Sequence, residues 1–187
     1  MRIVGGRLRG KKLADVGSGD AAAHLRPTTD RVRESLFNLL TNGRNGDLVR
    51  DARVLDLFAG TGALGLEALS RGAVQATFVD SGAASRALLR ENIALCSAQG
   101  ITKVFRTDVA DLGPAKVPAD LVFLDPPYGQ RLGEAALETL RQTDWLAPGA
   151  AVVWEESAPP IIPAGFLLLD QRRYGGTTVS LLKNDRE

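Results

Sequence analysis

The sequence predicts a doubly wound α/β fold, in which a Rossmann-like sheet of seven strands carries helices on both faces. From residue 53 onward, short apolar runs alternate with longer amphipathic stretches, a pattern typical of repeated strand–helix units. Residues 121–124 form an uninterrupted apolar run, as expected for a strand that is covered on both faces. The last two apolar runs have no helix between them, so we expect an antiparallel closing hairpin and a mixed sheet.

Residues 1–13 carry short apolar pairs around Gly5 and Gly6, which predicts a small β-hairpin, and residues 14–25 are small and polar, as in a loop. We therefore separate a basic N-terminal extension over 1–25 from a main domain over 26–187. Pro27 and three capping residues precede apolar positions at helical spacing, so the leading segment 26–41 should hold a helix over 30–41. Further along the chain we expect helices over 63–71, 83–98 and 131–142, and strands over 54–58, 75–80, 101–107, 121–124, 150–154, 165–170 and 177–182.

Composition and charge limit the classes of protein to which this chain can belong. One cysteine and one histidine leave no basis for a disulfide framework or a Cys/His metal site. No apolar run approaches the roughly 18 residues of a membrane span, and no signal peptide is evident, so we expect a cytoplasmic protein with no bound metal. Residues 1–50 carry ten Lys and Arg against five Asp and Glu, a net +5, and residues 51–187 carry thirteen against seventeen, a net −4. The basic end indicates contact with a polyanion, unless it is only a solvated tail.

A glycine-rich turn follows the first predicted strand. Gly60, Gly62 and Gly65 match the G-x-G-x-x-G fingerprint of dinucleotide-binding proteins, and Asp80 follows at the spacing expected of the acid that binds ribose. Two observations disfavour a dinucleotide. Asp56 would bring a carboxylate close to the pyrophosphate, and nothing downstream supplies the His or Lys acid–base partner of a hydride transfer.

S-adenosylmethionine fits this turn better, because it has no phosphate and carries a cationic α-amino group. Asp56 could neutralise that amino group directly or through water, and Asp80 could accept both ribose hydroxyls. Gly60 and Gly62 would let the backbone approach the cofactor closely. Asp108, just past the third strand, could accept a hydrogen bond from the adenine amine, or could cap the next element.

The decisive motif is DPPY at residues 125–128, directly after the apolar fourth strand. Its two prolines make a rigid turn, which would aim the Asp125 carboxylate and the Pro126 carbonyl at a planar amine. Tyr128 could stack on an aromatic ring. A proline-stiffened strand–helix connection would look the same, but the glycine turn earlier in the chain favours the catalytic interpretation.

Four stretches make the chain resemble a known family: residues 1–13, 26–40, 54–73 and 120–129. DPPY resembles the (Asn/Asp/Ser)-Pro-Pro-(Tyr/Phe) motif of the class I amino-directed methyltransferases. The first two stretches resemble, more narrowly, the bacterial 16S rRNA guanine-N2 methyltransferases of the RsmD type. The resemblance implies a class I methyltransferase sheet, S-adenosylmethionine as the methyl donor, and the exocyclic N2 of a guanine in small-subunit rRNA as the acceptor. Asp80 stands where the family commonly has a glutamate, which is a conservative change for binding a diol.

The resemblance also implies roles for individual residues and a partner. The catalytic residues are Asp125, Pro126, Pro127 and Tyr128. The cofactor-binding residues are Asp56, Phe58, Ala59, Gly60, Thr61, Gly62, Asp80, Asp108, Val109, Arg26 and Thr28. The RNA-binding residues are Arg2, Arg7, Arg9, Lys11, Lys12, Arg31 and Arg33, although the last two could instead close over the cofactor. The expected partner is 16S rRNA within a small-subunit assembly particle that contains ribosomal proteins, with no membrane involved.

Three alternatives stay open at this point. DPPY also serves DNA adenine-N6 methyltransferases, although this chain shows no inserted target-recognition domain. Protein-glutamine methyltransferases strongly favour asparagine where Asp125 stands. An inactive methyltransferase fold could act as an RNA-binding assembly factor, but the intact Asp56, Asp80, Asp108 and Asp125 argue against loss of activity.

Overall fold

A computed structural model describes residues 1–15 and 29–186 of the chain. The described strands are β1 (Arg53–Leu57), β2 (Gln75–Val79), β3 (Thr102–Phe105), β4 (Ala119–Leu124), β5 (Leu146–Glu156), β6 (Phe166–Tyr174) and β7 (Thr177–Asn184). The described α-helices are α1 (Asp30–Asn42), α2 (Ala63–Ser70), α3 (Ala83–Leu95) and α4 (Leu132–Gln142). The predicted α/β class is confirmed, and most elements lie within a few residues of their predicted bounds.

All seven strands belong to one mixed sheet with the order β3-β2-β1-β4-β5-β7-β6. The first five strands pair in parallel, whereas β7 lies antiparallel between β5 and β6, as the closing hairpin predicts. The carboxyl ends of β1 to β5 therefore share one edge of the sheet. Since β6 runs in the same direction as β5, β6 also ends at that edge.

The core has one layer on each face of the sheet. Helices α1, α2 and α3 cover one face, and α4 with the segment 109–112 covers the other. Helix α1 begins at a capping residue, because Thr29 Oγ1 accepts the backbone N–H of Val32 at 3.3 Å. Its buried Phe37 packs against Phe123 of β4, with ring centroids 5.6 Å apart. This packing brings the start of α1 toward the shared edge of the sheet.

Two predictions for the helical regions need correction. Helix α3 ends at Leu95, three residues before the predicted end, and Leu95 itself is exposed. Its buried face carries Arg86, Leu89 and Asn92, so two polar side chains lie where an apolar stripe was expected. Both polar side chains hydrogen-bond to backbone carbonyls near the glycine turn, which explains their burial.

The first 15 residues, here called the arm, differ from the predicted hairpin of two strands. The arm has a single antiparallel bridge between Arg2 and Lys12, and a 3₁₀ turn over Gly6–Leu8. Ile3 is completely buried and Leu13 nearly so, and both join the core beside α2. The arm is thus packed on the main domain. The rest of the predicted extension, 16–25, lies outside the described residues, and the division into two domains stays a prediction.

The described α-helices are 8 to 13 residues long. None of them combines the length and the apolar character that would let it cross a membrane.

Candidate active site

Three carboxyl groups meet at the shared edge of the sheet. Asp56 lies in β1, Asp80 directly follows β2 and Asp125 directly follows β4, and β1 lies between the other two strands. Burial raises the pKa of Asp56 well above its ordinary value of 3.8, and the negative charges of Asp125 and Asp80 raise it further. The sheet therefore gathers these three predicted site residues into one acidic site.

The glycine turn between β1 and α2 has a left-handed backbone at three positions. The φ angles of Phe58, Gly60 and Gly62 are 55°, 56° and 78°. A Cβ on Gly62 would lie 2.3 Å from Cδ1 of Leu89 in α3. The Gly62 N–H donates to the carbonyl of Ala59 at 2.7 Å, which closes the turn. The steric demand at Gly62, which the sequence assigned to the cofactor side, thus comes from the packing of α3.

Asp80 holds the turn from the neighbouring strand. Its Oδ2 accepts the backbone N–H of Gly60 at 2.8 Å, and its Oδ1 accepts that of Gly82 at 2.8 Å. The Arg86 guanidinium donates to the Asp80 carbonyl at 3.0 Å. Each oxygen of an ionised carboxylate has more than one acceptor position, so Asp80 keeps capacity for a diol. The half-buried position leaves that capacity open to a ligand.

Asp56 lies deeper than the turn. It is 3% exposed, and its Oδ2 accepts the backbone N–H of Gly65 in the first turn of α2 at 2.9 Å. A Cβ on Gly65 would lie 2.5 Å from Cε1 of Phe78 in β2. The third glycine of the fingerprint therefore allows α2 to pack on the sheet, and Asp56 anchors the start of that helix. Its contact with a cofactor amino group stays a prediction.

The remaining predicted cofactor residues differ in how the structure places them. The Asp108 carboxylate is exposed and accepts the N–H of Ala110 at 3.0 Å, so the capping role is present. Val109 is buried in the core on the α4 face, which leaves only its backbone for a ligand. The Thr61 carbonyl accepts from Asn92 at 2.9 Å. Arg26 and Thr28 lie outside the described residues.

The DPPY motif leads out of β4 at the acidic site. Burial and the charge of Glu156 in β5 raise the pKa of Asp125 from 3.8 to about 7. Pro126 is buried and Pro127 is exposed, so the two prolines lie between the core and solvent. The hydroxyls of Tyr128 and Thr177 are 3.2 Å apart, which ties the motif to the start of β7. Burial also raises the pKa of Tyr128, so its hydroxyl stays protonated at neutral pH.

Most of the predicted RNA-binding residues are exposed, as such a role requires. They are Arg2, Arg7, Arg9, Lys11 and Lys12 on the arm, and Arg31 on α1. Arg2 also forms an ion pair with Asp30 at 2.8 Å. An exposed ion pair of this kind contributes little to stability and can exchange for a phosphate.

Arg33 is the exception, and the prediction that this residue binds RNA directly is wrong. Its side chain is completely buried, with Nη2 2.8 Å from Asp30 Oδ1 and Nε 3.7 Å from Glu67 Oε2. Nη2 also donates to the backbone carbonyl of Arg2. Arg33 therefore joins α1, α2 and the arm, and does not face solvent.

Sequence reasoning missed the buried Glu67, which fastens the arm to α2. Its carboxylate accepts the N–H groups of Val4 and Gly5, both at 2.8 Å, and Arg71 Nε at 2.7 Å. A signal was available, since Glu67 is the one charged residue in the sequence of α2 and most of its neighbours there are apolar. A lone charge in such a helix predicts a buried partner.

The chain matches a protein-family model and solved structures over nearly its whole length. The model described as conserved hypothetical protein 95 matches residues 1–183. The ribosomal RNA small subunit methyltransferase D of Escherichia coli K12 is 37% identical, and the match covers 100% of this chain and 91% of that protein. The solved structure of yhhF from Escherichia coli is 37% identical with a TM-score of 0.84, covering 100% of this chain and 99% of that one.

A more distant structure matches in fold alone. The RNA methyltransferase from Salinibacter ruber, solved in complex with S-adenosyl-L-homocysteine, is 18% identical with a TM-score of 0.66 over 86% of this chain and 95% of that one. The acidic edge of the sheet, the glycine turn and DPPY occupy the part of the fold where ligands bind in open α/β sheets. The family model covers almost all of the chain, and the chain therefore belongs to the family of conserved hypothetical protein 95, as an enzyme with the class I methyltransferase fold.

Proposed function

We propose that this enzyme transfers a methyl group from S-adenosylmethionine to the exocyclic N2 amine of a guanine in 16S rRNA. The observation that carries the proposal is Asp125, a half-buried carboxyl that the DPPY turn holds at the acidic site with its pKa near neutrality. The name of the Escherichia coli relative, a small-subunit rRNA methyltransferase, supports rRNA as the substrate. The guanine N2 target comes from the sequence resemblance.

The residues at the site fit S-adenosylmethionine. The charges that Asp56, Asp80 and Asp125 supply are negative, which suits a cationic ligand and would repel a pyrophosphate. Asp80 would hold the ribose hydroxyls, and the turn over residues 58–62 would hold the methionyl part. When bound, this cofactor supplies an activated methyl group on a sulfonium. The protein then has to bind the acceptor, orient it toward the methyl group and accept the proton that it loses.

The acceptor amine is a poor nucleophile, because its lone pair is delocalised into the guanine ring. We propose that the Asp125 carboxylate and the Pro126 carbonyl accept its two N–H groups, which stabilises positive charge on the nitrogen. Tyr128 would stack on the base, and its bond to Thr177 fixes the ring. The target base has to leave its stack to reach this turn.

The pKa of about 7 suits Asp125 to take the proton that the amine loses. A base whose pKa lies near the working pH combines an adequate ionised fraction with adequate proton affinity. Activity should therefore rise with pH through the neutral range as Asp125 ionises. A positive ligand beside the carboxylate would move this rise to lower pH.

The exposed basic residues of the arm are proposed to bind rRNA phosphates. On this proposal the enzyme works in the cytoplasm, on an assembly particle that contains ribosomal proteins. Deletion of the arm would be a poor test, because Ile3 and the bonds from Val4 and Gly5 to Glu67 belong to the fold. Reversing the charge of exposed Arg7 and Arg9 tests RNA binding without removing those contacts.

Labelled S-adenosylmethionine provides the test of function. The protein is incubated with small-subunit rRNA, assembled small subunits, DNA and protein, and the modified nucleoside is identified by mass spectrometry. We expect N2-methylguanosine in the rRNA. The Asp125→Ala variant should lose methylation and still bind S-adenosylhomocysteine, while Asp185→Ala, at an exposed carboxylate, serves as the matched control. N6-methyladenine in DNA would replace the proposal with the adenine alternative, and turnover by Asp125→Ala would refute the role of that residue.

A further inference from the structure

The carboxyl end of β6 carries two exposed arginines, Arg172 and Arg173, that no sequence motif singled out. This end of β6 lies at the same edge of the sheet as the DPPY motif. Arg173 pairs with Thr178 of β7, and Thr178 pairs with Glu156 of β5. Because neighbouring strands lie ~4.8 Å apart, the Cα atoms of Arg173 and Glu156 are separated by about 10 Å. Glu156 is the residue whose charge acts on Asp125, so the two arginines lie at the rim of the candidate active site.

Hydrogen bonds hold the turn between β6 and β7 against two parts of the site. Tyr174 at the end of β6 pairs with Thr177, and the Thr177 hydroxyl is 3.2 Å from that of Tyr128. On the other side, the Tyr174 hydroxyl is 3.0 Å from the hydroxyl of Ser35 in α1. Ser35 lies one helical turn after the exposed Arg31, on the same side of α1. The end of β6 therefore lies between α1 and the DPPY motif.

The negative charge of the site explains why cations at the end of β6 would favour RNA binding. Asp125 and Glu156 make the mouth of the site acidic, and an acidic mouth repels the phosphates of a polynucleotide. Cations at the rim offset that repulsion without occupying the place of the base. The exposed Arg172 pairs with the half-buried Asp170 at 3.3 Å, and a phosphate can compete for this guanidinium. Arg173 donates through Nε to the Gly175 carbonyl at 3.1 Å, and within the described part of the chain its two Nη groups remain open to a phosphate.

We infer that Arg172 and Arg173 bind the sugar–phosphate backbone of the substrate RNA beside the nucleotide in the site, as a second RNA contact separate from the arm. This inference rests on the proposed function. Guanidinium groups suit the role because they bind phosphate oxygens through two parallel hydrogen bonds. Consecutive strand residues face opposite sides of a sheet, so the pair can hold the backbone on both sides of the end of β6.

The test compares the double variant Arg172→Gln/Arg173→Gln with Lys103→Gln. Lys103 is also an exposed cation and lies on β3, at the opposite edge of the sheet. RNA affinity is measured over a series of salt concentrations, alongside KM and kcat for rRNA and the affinity for S-adenosylhomocysteine. Each lost phosphate contact should make the slope of log affinity against log salt less negative by about 0.7 on single-stranded RNA. For the double variant we expect a change of about 1.4 in slope and a rise of roughly tenfold in KM.

The kcat and the cofactor affinity distinguish a loss of RNA binding from a defect in the active site. The kcat at saturating RNA and the affinity for S-adenosylhomocysteine should stay unchanged, and Lys103→Gln should behave as wild type. Arg172→Lys/Arg173→Lys keeps both charges and should recover most of the slope. A double Gln variant with wild-type slope and KM overturns the inference, and so does a loss of kcat without a change in RNA affinity. If wild type itself fails to methylate rRNA, the proposed function fails, and the salt slope still decides whether the arginines bind RNA.

Discussion

Replacing Asp125 by asparagine should stabilise the protein at alkaline pH while abolishing methylation. Burial and the nearby Glu156 raise the pKa of Asp125 from 3.8 to about 7, so the folded state holds this proton more tightly than the unfolded chain does. Between about pH 4 and pH 7 the folded state therefore binds more protons than the unfolded state. Stability must fall as the pH rises through that range. Asparagine is uncharged at every pH and escapes this loss.

The size of the effect follows from the shift in pKa. A shift of about 3 pH units corresponds to about 4 kcal/mol, which is the upper limit because Asp125 is only half-buried and its neighbours relax. In a chain of this length 1 kcal/mol moves the melting temperature by about 2–4 °C, so the variant should melt higher at pH 8 by at most about 8–16 °C. At pH 4, close to the ordinary pKa of 3.8, most of the pH-dependent difference is absent, and the two proteins should melt within about 2 °C of each other.

Thermal unfolding from pH 4 to pH 8 measures this difference, with Asp185→Asn as the control at an exposed carboxylate. The control should show no pH-dependent gain, because its charge stays in solvent in both states. The reasoning is refuted if Asp125→Asn shifts the melting temperature equally at pH 4 and pH 8. A variant that melts below wild type at pH 8 refutes it as well.

Three further substitutions test the turn and the arm. Asp80→Ala should weaken S-adenosylhomocysteine binding by about 100-fold in calorimetry, because two charge-assisted bonds to the ribose and the bond from Gly60 are lost together; unchanged affinity would contradict the ribose role. Gly65→Ala should lower the free energy of unfolding by about 2 kcal/mol in urea titrations, because the new methyl meets the Phe78 ring; a neutral effect would mean that α2 shifts freely. Glu67→Gln should cost about 3 kcal/mol, because buried cations and arm N–H groups lose a charged partner, and wild-type stability would exclude the buried ion pairs.

The sheet could be predicted because its signals are local. The apolar run of β4 and the glycine turn after β1 carry their meaning within a few residues, and parallel strands then force their carboxyl ends to one edge. Asp56, Asp80 and Asp125 meet there for that reason alone. Asp108 shows what local signals leave open, since a carboxylate that caps a turn and one that binds adenine look alike in sequence, and adenine binding by Asp108 stays a prediction.

The burial of Arg33 depends on a partner that lies far along the chain. It belongs to a basic, amphipathic stretch, and its burial requires Glu67, which lies 34 residues later in a different helix. The pairing exists because the arm, α1 and α2 pack at one place, and no local pattern encodes that. At Glu67 the available sign was a lone charge among apolar neighbours, which predicts a partner without identifying it. Arg33 stands among other charged residues in the sequence and carries no such sign.

Glu156 shows a further limit of prediction from sequence, because its effect on the pKa of Asp125 depends on strand register. Leu124 of β4 pairs with Trp154 of β5, and this register places the glutamates after Trp154 beside the DPPY turn. A shift of one residue would turn Glu156 to the other face of the sheet, and the pKa of Asp125 would lose one of its two causes. The same register continues through β7 to β6 and fixes how far Arg173 lies from the site. One property of the sheet thus sets both the acidity of the proposed base and the distance of the proposed phosphate contact, although the two groups never touch.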